Sequence, residues 1–463
     1  MLAAGVRVLA AGSDPWLDEV WSLALTRSVS APWDVVTSIR DTNNHALNTL
    51  WLLWVGESAS PYAMRFLSLL FGTGSVALAG VLGARNGSRE GLFAMALVGG
   101  SYLMVDASSE ARGYAPMVFF ALLAWVALEA GPLRDGARSG RWAAVFCGSV
   151  ALGTLFQLSF VIAYGALCAG WVAQRLRGSL GPGEWVRDAL KWHAVPLALY
   201  TALYVGWVRH VSIGGDALPT AFILERTAML AVGIEGHALA LKVGCAIAGA
   251  VLLVGLGIVV RRGIERAAVY GVGIVIAPAL VLWWLEPSFL APRYFGASIV
   301  LFLLLAAAVL GALARRGRRG MTLACVLLAF FLATNARTTA PLLHQGRGDF
   351  ARALEIMDRE SPAGPLEIGL RFHFRHRLLL EYFARTQAPN RELRLVAGDA
   401  WPRRGPEWLI LAARQPGEVL GEHTKGPRGN SYERVASFEG LPGREPRWTL
   451  YRAVRGPGVR GPR

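Results

Sequence analysis

The sequence is short of lysine, cysteine and acid, with only 3 Lys and 4 Cys among 463 residues, and 32 Asp plus Glu against 47 Lys plus Arg. Cys147, Cys168, Cys245 and Cys325 lie singly inside apolar runs without metal-ligand spacing. They read as small buried hydrophobes, which excludes a disulfide framework and a zinc module. With lysine almost absent, 44 arginines carry the positive charge. That skew reflects Gly/Ala/Arg-rich codon usage, so a lone Arg is no sign of function. No internal repeat is present, which excludes a solenoid. Low complexity is confined to the Gly/Pro/Arg-rich end, Gly456–Arg463, where fraying is expected. A complete leader is lacking too. Met1–Gly12 carries Arg7 in its middle, is too short to span, and shows no small-residue cleavage site. The expectation is a first spanning helix cut short at Met1.

Apolar sequence is what the chain has in abundance. Hydrophobic residues make up 54% and mean hydropathy is +0.40, too apolar for an ordinary soluble protein. A net charge of +15 would suggest nucleic acid in a soluble chain, but most of these cations sit in short loops between apolar stretches. The charge therefore reports topology, and no nucleic-acid partner is expected. Runs of about 20 residues fit spanning helices near 64–83, 91–107, 114–130, 142–156, 158–174, 192–208, 238–260, 267–285, 294–314 and 320–337.

The loops between these runs differ in charge. One set holds Arg85 and Arg89; Arg134, Arg138 and Arg141; Arg175, Arg177, Arg187 and Lys191; Arg261, Arg262 and Arg266; Arg315, Arg316, Arg318 and Arg319. Positive-inside bias makes it cytoplasmic. The other set holds Arg27, Arg40, Arg65, Arg112, Arg209, Arg226 and Arg293 in longer loops, and is external. Three regions follow: 1–63, a truncated first helix plus an external loop with interfacial helices; 64–340, a bundle of about ten spans; 341–463, an external α/β domain. In that domain Glu392–Ala397, Glu407–Ala413, Tyr432–Phe438 and Arg447–Val454 read as strands, and Asp349–Arg359 and Phe374–Arg385 as helices.

Chemistry-bearing residues collect in the external loops. Asp14 and Pro15 suit the start of a helix whose first turns carry Asp18 and Glu19 between Trp16 and Trp21. Two such carboxylates can merely offset the helix dipole, or can act on a lipid-borne substrate at the interface. Asp41-Thr42-Asn43-Asn44-His45 follows in the same loop. His45 could be a cap or solvated loop residue. Folded together, Asp18, Glu19, Asp41 and His45 would supply ligands for a divalent cation. Asp106 to Tyr114 sets Glu110 and Arg112 at the edge of a span, either as a functional pair or as an ion pair with Arg112 reaching to headgroups. In the loop 286–294, Arg293 and Tyr294 suit phosphate binding as well as headgroup anchoring. Gln157 sits in a minimal external turn, and Asp216, Glu225, Glu235 and His237 in the 209–237 loop, which could close over a site, show no recognisable spacing; His373 and His376, three apart, could share one helical face but read as structural or surface residues.

Taken in order and sidedness, these segments resemble bacterial membrane glycosyltransferases of the GT-C fold in the family 39 group, which includes protein mannosyltransferase-like and aminoarabinose transferase-like enzymes. Trp16-Leu17-Asp18-Glu19 is similar to that group's Leu-Trp-x-Asp-Glu-type segment. Ser108-Ser109-Glu110-Ala111-Arg112-Gly113-Tyr114 resembles its Ser-Gln-Glu-Ala-Arg-x-Tyr segment, with Ser109 for Gln, and Pro292-Arg293-Tyr294 matches a Pro-Arg-Tyr segment near the last spans. The chain departs where relatives have Asp-x-His-Pro-Pro, here Asp41-Thr42-Asn43-Asn44-His45, and has Gln157 where His is common.

The resemblance implies an all-α polytopic bundle with a small C-terminal α/β extracytoplasmic domain, in a bacterial inner membrane. It implies inverting transfer of a sugar from a polyprenyl-phosphate carrier to a lipid, glycan or protein acceptor on the outer face. Asp18 would then be the general base and Glu19 would position substrate, while Asp41, His45, Glu110, Arg112, Tyr114, Arg293 and Tyr294 would bind substrate, with Arg112 and Arg293 on the departing phosphate. No cofactor is required by the sequence beyond a possible divalent cation. A transporter or flippase of envelope precursors is the rival expectation, against which stands the absence of internal repeats. A scaffold is the third, and about ten spans exceed what an anchor needs.

Overall fold

The structure is a computed structural model. It describes all residues except 132–136, 179–180, 212–217, 235–237, 285–289, 371–372, 388–390, 398–400, 402–403, 414–417, 442–446 and 455–463. Arg134, Asp216, Glu235, His237, residues 286–289 of the 286–294 loop and the Gly456–Arg463 end thus lie outside the described residues.

In chain order the helices begin with α1 (Leu2–Ala10), α2 (Leu17–Thr26), α3 (Asp34–Thr37), α4 (Ala46–Val55) and α5 (Pro61–Met64). The long apolar helices are α6 (Phe66–Ala84), α7 (Ser88–Gly100) with the short α8 (Tyr102–Ser108), α9 (Tyr114–Ala130), α10 (Ala137–Phe156), α11 (Phe160–Leu176) and α12 (Pro182–Gly206). They continue with α13 (Thr220–Val232), α14 (Ala238–Val260), α15 (Ile264–Gly271), α16 (Ala277–Trp284), α17 (Gly296–Ala314) and α18 (Arg318–Gln345). Last come α19 (Phe350–Glu360) and α20 (His373–Gln387), with strands β1 (Leu366–Leu370), β2 (Leu393–Ala397), β3 (Trp408–Ala412), β4 (His423–Lys425), β5 (Ser431–Phe438) and β6 (Trp448–Ala453).

The chain packs as two compact units: Met1–Ala11, Leu25–Val55 and Tyr62–Ala340 in the first, Gly12–Ala24, Gly56–Pro61 and Pro341–Arg463 in the second. Helices underlie every apolar run of the first unit. Among the described residues five stretches are long and apolar enough to cross a membrane, Phe66–Ala84, Leu239–Val260, Ile264–Trp284, Pro292–Ala314 and Arg318–Glu360, and α7 with α8 makes a sixth if its 61° bend is counted as one span. A helix bonds its whole backbone internally, as passage through hydrocarbon requires. α6 packs on α7 and α9, α9 on α10, and α7 and α14 on α17, which is buried along most of its length. In α12, Pro196 has no N–H for the carbonyl of Trp192; the Cys147 thiol donates to that oxygen at 3.4 Å, so this cysteine does more than fill space.

Ion pairs tie the Arg-rich loops to one another. Glu90, almost wholly buried, accepts Arg262 in a fork at 2.7 and 3.0 Å and has Arg315 at 3.6 Å. Glu129 pairs with Arg85 at 2.6 Å and Arg266 at 3.0 Å, and Arg177 reaches Glu265 at 2.8 Å. Loops grouped by their cation content therefore meet in space.

The second unit holds a six-stranded mixed sheet in the order β2-β1-β3-β6-β5-β4, parallel from β2 through β1 to β3 and antiparallel from β3 onward. Strands β2, β3, β5 and β6 fall on the expected runs; β1 and β4 do not correspond to any. His376 is buried on α20 among Phe350 and Trp448, where desolvation, followed by the charge of Arg375, holds its pKa down to about 3.

Candidate functional site

In the first unit the site begins with a short loop pinned from both sides. α8 ends at Ser108, and Ser109 to Gly113 turn the chain into α9. Asn48 on α4 donates to the carbonyl of Ala111 at 2.6 Å, and the Ser68 hydroxyl donates to that of Arg112 at 2.9 Å. Gly113 is required here: a Cβ would sit 1.8 Å from the carbonyl oxygen of Phe156 and 2.9 Å from His45 Nδ1. That close approach lets His45 Nδ1 donate to Phe156 at 3.0 Å. The donor role leaves Nε2 as an acceptor, and this buried nitrogen has no hydrogen-bond partner among the described residues.

Tyr114 is the hub of the cluster. The Arg112 guanidinium lies 5.5 Å and that of Arg293 5.7 Å from its ring centroid, both in cation–π range. The His45 ring meets it edge-on at 5.2 Å and Tyr294 lies at 6.2 Å. Arg112, 1% exposed, also donates to Asn43 Oδ1 and lies 3.5 Å from the Tyr114 hydroxyl. Glu110 is buried too, and its carbonyl accepts from the Arg112 backbone N–H at 2.8 Å. Burial, then the charge of Arg112, keeps His45 well below its ordinary pKa, so it is neutral. Burial raises the carboxyl of Asp41, opposed by the Asn43 N–H and the charge of Arg112.

A cavity of about 350 Å³ opens beside this cluster. Asp41, Asn44, Gln157 and Tyr294 line its polar part, and Ile162, Leu203, Trp207, Val281 and Phe295 are among its apolar wall. The Asp41 loop is pinned at its rim, since Arg40 donates to the carbonyl of Gly206 at 2.8 Å and the Trp207 indole donates to that of Ile39 at 2.8 Å. Of the predicted residues, Asp41, His45, Glu110, Arg112, Tyr114, Arg293 and Tyr294 all belong to this unit, and each meets the cluster or the cavity, Glu110 through its charge on His45. Asn43, Asn48 and Gly113 were not singled out from sequence. Only the Asp-x-Asn-Asn-His spacing of the loop hinted at Asn43.

Asp18 and Glu19 belong to the second unit. The helix starts at Leu17 rather than at Pro15, and Glu19 Oε2 accepts from the backbone N–H of Trp16 at 3.1 Å, closing the helix start from its third residue. Asp18, in the first turn and 7% exposed, has its carbonyl bonded by Ser22 at 2.9 Å. Trp21 packs edge-on against Phe374 at 5.2 Å. Among the described residues no group of three or more His, Cys, Asp and Glu side chains gathers as a cation site.

No family model matches the chain, and no curated protein matches it in sequence. Solved structures do. ArnT from Cupriavidus metallidurans bound to undecaprenyl phosphate superposes with a TM-score of 0.54 at 14% identity, over 100% of this chain and 98% of that one. The same protein in the apo state gives 0.51 at 14% identity, over 97% of each chain. The fold is GT-C. The GT-C fold thus accounts for both parts of the chain, a polytopic helical bundle and a small C-terminal sheet domain, over nearly their full lengths. Within the GT-C bundle, the basic cluster around Tyr114 and the cavity next to it share Tyr294 as a common wall.

Proposed function

We propose that the chain is a membrane glycosyltransferase that takes a sugar from a polyprenyl-phosphate carrier and gives it to an acceptor on the outer face. The observation that carries this reading is the position of Tyr294, at once part of the cationic cluster and of the largely apolar cavity. A ligand satisfying both needs an anionic head and a long hydrocarbon tail, which is the chemistry of a lipid phosphate. ArnT, of the same fold, was captured with undecaprenyl phosphate. Placement within family 39 rests on the three sequence segments around Asp18, Arg112 and Arg293.

The transfer is a single displacement, hence inverting. The acceptor hydroxyl oxygen bonds to the anomeric carbon as its proton passes to Asp18, and the bond from that carbon to the phosphate oxygen breaks with its electron pair leaving on the lipid phosphate. Arg112 and Arg293 meet the charge that grows on that oxygen. Glu19, committed to the helix start, orients the segment that carries Asp18. Neutral His45 accepts through Nε2 from a sugar hydroxyl. The bilayer is the plasma membrane of a bacterium, with the sheet domain outside.

The full chain reconstituted in lipid and supplied with a panel of undecaprenyl-phosphate sugars tests the reading by mass spectrometry of released carrier and glycosylated product. Turnover of one donor is expected, with Asp18→Asn lowering kcat by about 10² to 10⁴. A chain that neither binds nor consumes any of these donors overturns the function, and an Asp18→Asn variant with full turnover overturns the base.

A further inference from the structure

The 61° bend between α7 and α8 is held by two side chains that the reaction does not use. At Ser101 the backbone turns extended, with ψ 126°, so the helical ladder is interrupted. The last carbonyls of α7 and the first N–H groups of α8 lose their partners, and in a dry bundle each must find another. Arg7, on α1, supplies the carbonyls: its guanidinium donates to Gly99 at 3.0 Å and Val98 at 3.3 Å. Asn335, on α18, supplies an acceptor for the N–H of Tyr102 at 2.7 Å while its own amide donates to Phe331 at 2.9 Å.

Arg7 also crosses the inside of the bend. Its Nε donates to the hydroxyl of Ser108, the last residue of α8, at 3.2 Å. One guanidinium therefore ties the end of α7 to the far end of α8. It is fully buried, and the partners given for it are all neutral oxygens of Ala3, Val98, Gly99 and Ser108. A buried cation without a carboxylate mate is expensive, and an apolar residue would be the cheaper filler. What the arginine supplies instead is a fixed angle. Two glycines have made room for this clasp. A Cβ on Gly72 would lie 2.0 Å from the Ser108 hydroxyl, and one on Gly233, at φ +71°, would lie 1.7 Å from the Asn335 amide nitrogen.

We propose that Arg7 and Asn335 are positioning residues that set the direction of α8 and thereby place Arg112. α8 runs straight into the loop whose carbonyls at Ala111 and Arg112 are pinned by Asn48 and Ser68. Seven residues make a lever of about 10 Å, so a tilt of roughly 10° at Ser101 moves its far end by about 2 Å. Misplacement by about 1 Å can cost about 10²-fold in rate. The consequence for Arg112 rests on the function proposed above; the clasp itself does not.

The test uses the full chain in nanodiscs, with Asn335→Leu, Arg7→Gln and the charge-keeping Arg7→Lys. Amide hydrogen exchange without ligand is expected to rise within residues 101–112 in the first two and to leave α17 unchanged. Undecaprenyl phosphate alone should bind at least tenfold more weakly to each, with partial recovery in Arg7→Lys. In an Arg112→Ala background the same substitutions should change binding less than twofold, because they act through Arg112. Exchange that rises uniformly along the chain, or stays flat at 101–112, overturns the clasp. Additive losses in the double variants overturn the route through Arg112. If the unaltered chain fails to bind the lipid phosphate, the proposed function and that route fall together, while the exchange pattern still decides the clasp.

Discussion

Asn43 accepts a hydrogen bond from the guanidinium of Arg112, 69 positions further along the chain, and both side chains are buried. A neutral amide oxygen orients the guanidinium without neutralising it. A carboxylate in the same place would add a negative charge beside a guanidinium that already acts on the Asp41 carboxyl, and would oppose an anionic ligand. Asn43→Asp is therefore expected to hold its melting temperature yet bind undecaprenyl phosphate at least tenfold more weakly. Asn43→Leu should destabilise by about 2 kcal/mol through the stranded charged donor. Thermal unfolding and lipid-phosphate titration read the two effects separately.

Gly113 is the tightest packing point of the site. A methyl group 1.8 Å from the Phe156 carbonyl oxygen cannot be relieved by a side-chain rotation, so the backbone must give. Gly113→Ala should part His45 from Phe156 and lower transfer by more than tenfold. Retention of full activity would show that the loop has slack.

The ring of Tyr114 serves two guanidiniums, each contact being worth about 0.5 to 2 kcal/mol. Tyr114→Phe keeps the ring and should bind donor within about threefold of the unaltered chain. Tyr114→Leu should lose about 1 to 3 kcal/mol of donor binding, measured as Kd for undecaprenyl phosphate.

At the Arg-rich loops, Glu90→Gln removes the carboxylate that Arg262 grips at 2.7 and 3.0 Å. Breaking one side of so buried a pair costs about 3 kcal/mol. A lower melting temperature with unchanged KM for donor is expected, since none of the cluster around Tyr114 is touched.

Acid sensitivity should follow His376. Its folded-state pKa near 3 lies below the ordinary 6.5, so the unfolded chain takes up a proton first as pH falls. The stability it permits is complete above about pH 6.5 and is lost progressively toward pH 3, by about 1.4 kcal/mol per unit. Unfolding of the full chain at pH 7 and pH 5 should show a smaller pH-dependent loss in His376→Phe than in the unaltered chain.

Much of this was legible in one dimension. The apolar runs predict helices because crossing a bilayer needs length and hydrophobicity, both local properties. The Arg-rich loops declare themselves because cation retention acts on short segments; in the structure Arg85 and Arg266 pair with Glu129, Arg262 and Arg315 with Glu90, and Arg177 with Glu265. Strands β1 and β4 match none of the expected runs: Gly369 weakens the strand pattern of β1, and His423–Lys425 has three residues and no apolar alternation.

Residue type and position brought forward Asp18, Glu19, Asp41, His45, Glu110, Arg112 and Arg293, since charge beside hydrocarbon is costly wherever it occurs, and the family resemblance supplied their roles together with Tyr114 and Tyr294. Only the tertiary structure decided what those groups face. That Asn43 accepts from Arg112, that Tyr294 is shared between cluster and cavity, and that Arg7 closes a broken helix 92 positions away in sequence depend on which distant segments pack together. Arg7 shows the reason. In sequence it is a cation spoiling a short apolar run, while in the fold it satisfies carbonyls left bare at Val98 and Gly99, a need that exists only once α7 and α8 have bent.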